Sequence, residues 1–183
     1  DEEGLEIMIE RNVPLVPTFT FQANLIDYAE KMEASTDYKE IFEKEIQDNV
    51  PIFTKAFEAG VPFICGSESG FSVTPYGDWH YKELEVFVEK LGLTPLEAIT
   101  CATKNAASAM KRDDIGLIAE GKIADLLVVD GDPSKDVTIL GDKNLIKHVF
   151  LNGKDIDLTP APKRFKDPDG WRISAYSNKI LEK

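Results

Sequence analysis

Glu68 is the residue of this chain best placed to do chemistry, because it stands in a short polar loop, Gly66-Ser67-Glu68-Ser69-Gly70, closed by a glycine at each end. A carboxylate held in such a loop could bind a cation or take a proton as a general base. Composition alone reads it as a solvated loop carboxylate, since glutamate is rarely buried without a partner. His80 opens the next helical stretch; it could orient Glu68 or contact a substrate, and a surface or helix-capping histidine is the plainer alternative. Phe71, Tyr76 and Trp79 lie between the two. They could line an apolar substrate pocket with a few polar groups, or pin the loop to its scaffold. Ser67 and Ser69 have no partnered histidine or aspartate in a recognisable nucleophile arrangement, so serine catalysis is not expected.

The other titratable residues fit structural roles. His148 alternates with Lys147 and Val149 along a strand, remote in sequence from the Glu68 loop. Glu83 and Glu85 are expected on the solvent side of an amphipathic helix. Cys65 and Cys101, the chain's 2 cysteines, are too far apart for a zinc-ligand pattern and are expected to be reduced, small buried hydrophobes. With only 2 histidines and no His-x-His pair, nothing completes a metal cage.

A length of 183 residues with 43% hydrophobic residues is enough for a sizeable core. The net charge of -12 argues against nucleic acid, which demands clustered Lys and Arg. No apolar stretch approaches a membrane span, so no membrane partner is expected; the location is left unknown, with the cytoplasm favoured. The opening Asp1-Glu2-Glu3-Gly4 is neither a basic leader nor an initiator methionine, and the chain is expected to begin inside something longer. Homo-oligomer formation is left open.

The elements that would position the loop are legible as alternating patterns. Leu5, Met8 and Ile9 recur at helical spacing before a stop at Asn12. Val13 to Thr18 is a short apolar strand with prolines near both ends. A weakly helical stretch from Ala23 to Thr36 follows, then a helix from Asp37 with Tyr38, Ile41, Phe42 and Ile46 on one face, breaking near Pro51. Pro51 begins a further helix with Ile52, Phe53, Ala56 and Phe57 inward and Gly60 as its C-terminal cap. Val61 to Cys65 is the next strand, and the Glu68 loop springs from its end. A helix carrying Leu84, Phe87, Val88 and Leu91 ends at Gly92. Thr94-Pro95-Leu96-Glu97 is a capping box that launches a helix through Ile99, Thr103, Ala106 and Met110. Strands at 123–129 and 146–151 then form a different, all-β layer, and the proline-rich stretch from Asp157 reads as an extended tail.

The segment from Gly116 to Asp130, Gly-x-Ile-x-x-Gly-Lys-x-Ala-Asp-Leu-x-Val-x-Asp, closely resembles the metal-dependent amidohydrolase superfamily, near its imidazolonepropionase-like and Xaa-Pro dipeptidase-like members. The resemblance covers roughly residues 1–153. It implies an α/β fold: the last two βα units of a partial (β/α)8 TIM barrel plus part of a small β-sandwich. The barrel portion would span 1–112, the sandwich strands 113–156 and the tail 157–183. Two units cannot close a barrel of eight, which typically takes about 250 residues.

Similar enzymes carry Gly-Thr-Asp-Ser-Gly after the eighth strand, where the aspartate binds a metal and accepts a proton from metal-bound water. Glu68 falls on that position and is one methylene longer. His80 stands where similar proteins often show His-Gly, with Tyr81 replacing the glycine. Lys122 and Asp125 match the diagnostic motif but are assigned to the sandwich, not to catalysis. The implied activity is hydrolysis of an amide C–N bond in a dipeptide or cyclic amide. Zinc, as one or two divalent ions, would be held mostly by residues outside this chain, with Glu68 contributing. The expected partners are a small-molecule amide substrate and the remainder of the same polypeptide or a complementary chain, so the chain by itself is expected to be inactive. The competing reading is a non-catalytic module that completes a barrel or mediates interaction.

Overall fold

The structure, a computed structural model, describes residues 2–33, 35–70, 73–74 and 80–159. In chain order it contains α1 (Glu2–Glu10), α2 (Thr20–Asp27), α3 (Thr36–Glu58), α4 (Lys82–Glu89), α5 (Pro95–Thr100), a π-helical turn (Cys101–Asn105) and α6 (Ala106–Ala109). Strand β1 (Leu126–Val129), a 3₁₀ turn (Val137–Gly141), β2 (Ile146–Leu151) and β3 (Lys154–Asp155) follow. Residues 160–183 of the expected tail lie outside the described residues.

The two expected strands of the helical layer meet through one parallel bridge, Leu15 to Phe63. It is held by Leu15 N–H on the Pro62 carbonyl and Ile64 N–H on the Leu15 carbonyl, both at 2.9 Å. Pro14, Pro17 and Pro62 have no N–H to extend the ladder, which keeps the pairing this short. The opposite side of the Val61–Cys65 segment is engaged as well. Asn105 Nδ2 donates to the Phe63 carbonyl at 2.9 Å, and Cys65 N–H reaches the Cys101 carbonyl at 3.3 Å. That carbonyl belongs to the first residue of the π turn, a local widening of the helix that periodicity from Ile99 to Met110 does not reveal. Val13 and Val16, beside Leu15, are 41% and 45% exposed.

Phe63 and Phe87 are wholly buried at the centre of the helical layer. Phe53, Phe57 and Phe87 meet the Phe63 ring edge-on at centroid distances of 6.5, 5.5 and 6.0 Å. Val137 and Leu140 of the 3₁₀ turn join this core, so the β layer is sewn to α4 rather than hung beside it. The sheet itself is antiparallel in the order β1-β2-β3, with Leu126 opposite Phe150 and Val128 opposite His148. Lys122 Nζ donates to the Asp113 carbonyl, and Asp125 Oδ1 accepts from Asn152 N–H at 2.7 Å in the turn between β2 and β3. Asp125 therefore braces the sheet, while Lys122 ties the segment ahead of β1 to the loop after α6.

Local signals hold where they are self-contained. Thr94 and Glu97 form the full capping box with Pro95 in the first turn. Gly60, at φ +91°, ends α3 with its N–H on the Phe57 carbonyl and Val61 N–H on the Ala56 carbonyl, the paired closure that only a left-handed residue allows.

Pro51 corrects the reading. It lies inside one helix of 23 residues instead of breaking it, and Ile52 points outward at 60% exposure. Ile46, Val50, Phe53, Ala56 and Phe57 form one stripe on a single core across the proline, and the carbonyl deprived of its partner belongs to exposed Gln47, where water reaches it. Pro51→Ala restores that bond. It should raise stability by about 1–3 kcal/mol, the upper end being the Pro-to-Ala gap in helix propensity, read as a higher urea midpoint at unchanged m-value.

Candidate active site

The Glu68 loop leaves the Val61–Cys65 segment where Gly66 passes against Val16; a Cβ on Gly66 would sit 2.5 Å from Val16 Cγ1. Glu68 is exposed and left-handed at φ +50°, a conformation uncommon outside glycine. Its neighbours hold it there. Thr74 Oγ1 donates to the Glu68 carbonyl at 3.1 Å, and Gly70 N–H donates to the Thr74 carbonyl at 2.7 Å.

His80 comes to the loop through the serines on either side of Glu68. Its Nδ1 lies 3.1 Å from Ser67 Oγ and 3.2 Å from Ser69 Oγ, and the two hydroxyls are 2.7 Å apart. The serines thus have a histidine partner that their spacing of 13 and 11 residues concealed. Both hydroxyls compete for one ring nitrogen, and no carboxylate among the described hydrogen bonds orients the imidazole, so the set lacks the order of a catalytic triad. Phe71, Tyr76 and Trp79 lie outside the described residues. His148 is remote: its Nδ1 pairs with Asp155 Oδ2 at 2.8 Å and its ring stacks on Phe150.

The expectation that Glu83 and Glu85 face solvent is overturned. Glu83 is 0% exposed, and its carboxylate accepts from Phe19 N–H at 2.9 Å, Thr20 N–H at 2.8 Å and Thr20 Oγ1 at 2.6 Å. Burial pushes its carboxyl above the usual range, and the Thr20 and Phe19 donors pull it back. The signal was present, since Glu83 precedes the buried Val86 and Phe87 by three and four residues and so shares their face. Glu85 is partly buried and bonds Lys82 Nζ at 2.9 Å, while the same ammonium meets Asp27 at 2.7 Å. Burial by itself would lower the Lys82 pKa, but the hydrogen bonds to Asp27 and Glu85 outweigh it and raise it.

Both thiols are inert by environment. Burial pushes Cys65 up to about 12, aided by the negative charge of Glu83, and Cys101 up to about 11. Neither forms a disulfide. Native protein at pH 8 should therefore react with iodoacetamide at least about a hundredfold more slowly than unfolded protein, whose thiols titrate near 8.5; equal rates measured by mass spectrometry would contradict this packing.

Among the described residues no three of His, Cys, Asp and Glu gather where they could hold a metal ion. Glu68 offers a single exposed carboxylate. These residues do not fit a complete metal centre, which takes three or four protein ligands. A shallow cleft of about 420 Å³ bordered by Lys104, Lys111, Arg112 and Lys122 does not include Glu68. Arg112 there is engaged by Asp114 at 2.6 Å.

Comparison with known proteins places this geometry. Ochratoxinase of Aspergillus niger is 28% identical over 159 residues, which is 84% of this chain and 31% of that protein. In its crystal structure the match has a TM-score of 0.69 at 26% identity, covering 85% of this chain and 34% of that one. An imidazolonepropionase of Pyrobaculum arsenaticum is 53% identical over 47 residues, 26% of this chain and 12% of that protein. The crystal structure of a Xaa-Pro dipeptidase with bound methionine aligns with a TM-score of 0.67 at 28% identity, over 85% of this chain and 37% of that one. The chain thus spans about a third of the length of the first of these relatives. The Amidohydrolase family profile matches residues 2–156, and the chain belongs to that family.

Proposed function

We propose that this chain is the C-terminal part of a metal-dependent hydrolase that cleaves an amide C–N bond of a dipeptide or cyclic amide, with Glu68 as its proton-accepting carboxylate. The observation that carries the reading is the placement of Glu68: it heads a glycine-bounded loop at the end of a segment paired in parallel with its neighbour, where barrel enzymes build their sites. Relatives named as a dipeptidase and an imidazolonepropionase support the bond type. Adding water to an amide carbonyl requires a base to take the water's proton, and an exposed carboxylate whose backbone carbonyl is held by Thr74 and whose serine neighbours are held by His80 suits that work. The divalent metal of the family, zinc in this reading, would be held mostly by residues outside this chain.

The exposed Val13 and Val16 beside a single-bridge pair support completion of the barrel by further strands, from the same polypeptide or a complementary chain. That surface would serve a non-catalytic module equally well. The experiment that separates the two measures divalent metal content of the whole gene product and its hydrolysis of Xaa-Pro dipeptides and N-acyl amino acids. Bound metal with turnover upholds the enzyme; a protein that binds no metal and cleaves none of them is the module.

A further inference from the structure

Two left-handed residues stand just past the two paired segments: Thr18 at φ +60° and Glu68 at φ +50°. A β-branched residue in that region is strained and persists only where its surroundings over-determine it. Glu83 supplies the surroundings of Thr18, holding the next two N–H groups and the Thr20 hydroxyl on one buried carboxylate. Those N–H groups also open α2, whose N-cap residue Phe19 offers no side-chain cap.

From α2 the constraint passes on. Asn24, 0% exposed, donates Nδ2 to the Val73 carbonyl at 2.9 Å, and the next residue, Thr74, bonds the Glu68 carbonyl. The loop returns through Ser67 and Ser69 to His80, three residues before Glu83. Asn24 keeps its bond to Val73 although its own Oδ1 is buried without a partner among the described residues. Such an orphaned acceptor is destabilising, a penalty that an apolar side chain of similar size would avoid. Direction at Val73, more than packing, accounts for an amide there.

We propose that Glu83 is a positioning residue, whose buried carboxylate sets the place of the Glu68 loop through Thr20, Asn24 and Thr74. The proposal rests on the reading of Glu68 as the reacting carboxylate. Its structural half, the coupling of Glu83 to residues 67–70, stands independently of that reading. Both carboxyl oxygens accept from main-chain N–H groups, an arrangement glutamine cannot reproduce, since its Nε2 would face one of those N–H groups in either orientation.

The test uses the whole gene product with Glu83→Gln, Thr20→Val and Thr20→Ser, reading backbone amide exchange and the hydrolysis of alanyl-proline. Glu83→Gln should speed exchange about tenfold or more at Phe19 and Thr20 and also at 67–70. It should lower kcat by roughly ten- to a hundredfold with KM within about threefold, as expected for sub-ångström misplacement of a reacting group. Thr20→Val should move both readings in the same direction by less, and Thr20→Ser should restore them. If Glu83→Gln fails to fold, the Thr20 pair carries the same readings. Faster exchange confined to Phe19 and Thr20, with 67–70 unchanged, overturns the proposal. A wild-type protein that leaves alanyl-proline intact counts against the reading of the site for that substrate, and the exchange pattern alone then decides the coupling.

Discussion

Phe63→Ala is expected to destabilise the chain by about 3–5 kcal/mol, the range for truncating a buried phenylalanine. Phe63 is 0% exposed and touches three other rings edge-on, so the loss combines the transfer of the ring, a cavity that rigid neighbours cannot fill, and aromatic contacts beyond area burial. Its backbone remains pinned on both sides by Leu15 and Asn105, which restrains the collapse that would otherwise shrink the cavity. For a chain of this size the midpoint of thermal unfolding should fall by roughly 10 °C. Phe63→Leu, which keeps most of the volume, should cost about 1–2 kcal/mol. A loss for Phe63→Ala under about 1 kcal/mol in urea titration would mean that the four rings do not form the packed centre described here.

What the sequence discloses of this fold follows the range over which each interaction acts. The Thr94 capping box and the Gly60 closure are complete within six residues, and both are read correctly from residue type alone. The start of α2 cannot be read that way, because its cap is Glu83, 63 residues away from Thr20. Pro51 is a breaker by local rule, yet a stripe of five core residues spanning it holds the helix together. The two short strands were visible as apolar runs, but their pairing is limited to one bridge by prolines whose effect depends on which side faces the neighbour.

The site divides in the same way. The Gly66–Gly70 loop is visible by its glycines, and the resemblance to the family motif singles out Glu68 within it. His80, Thr20, Asn24 and Glu83, the side chains that hold the loop and its neighbour, are distributed over 64 positions and converge only in three dimensions. Glu83 escapes a reading by residue type because its charge speaks for solvent while its periodicity speaks for the core. A carboxylate on the Val86–Phe87 face is tolerable only when donors are aimed at it, and two of its three donors are main-chain N–H groups that leave no trace in residue types, the third being the hydroxyl of distant Thr20.

Glu68→Ala in the whole gene product should lower kcat for amide hydrolysis by about 10²- to 10⁴-fold, the usual contribution of a positioned general base, with little change in KM. Because Glu68 is exposed and its loop is held by the backbone and by Ser67 and Ser69, the substitution should change stability by less than about 0.5 kcal/mol. The two readings together separate chemistry from folding. Glu68→Gln keeps the shape and removes the charge, so it should fall with alanine. Glu68→Asp keeps the charge on a shorter stem and suits the left-handed backbone at φ +50° better than glutamate does, so it should retain at least about tenfold more activity than alanine. An alanine variant that turns over like wild type would remove Glu68 from the reaction and leave the family membership, which rests on residues 2–156 as a whole, untouched.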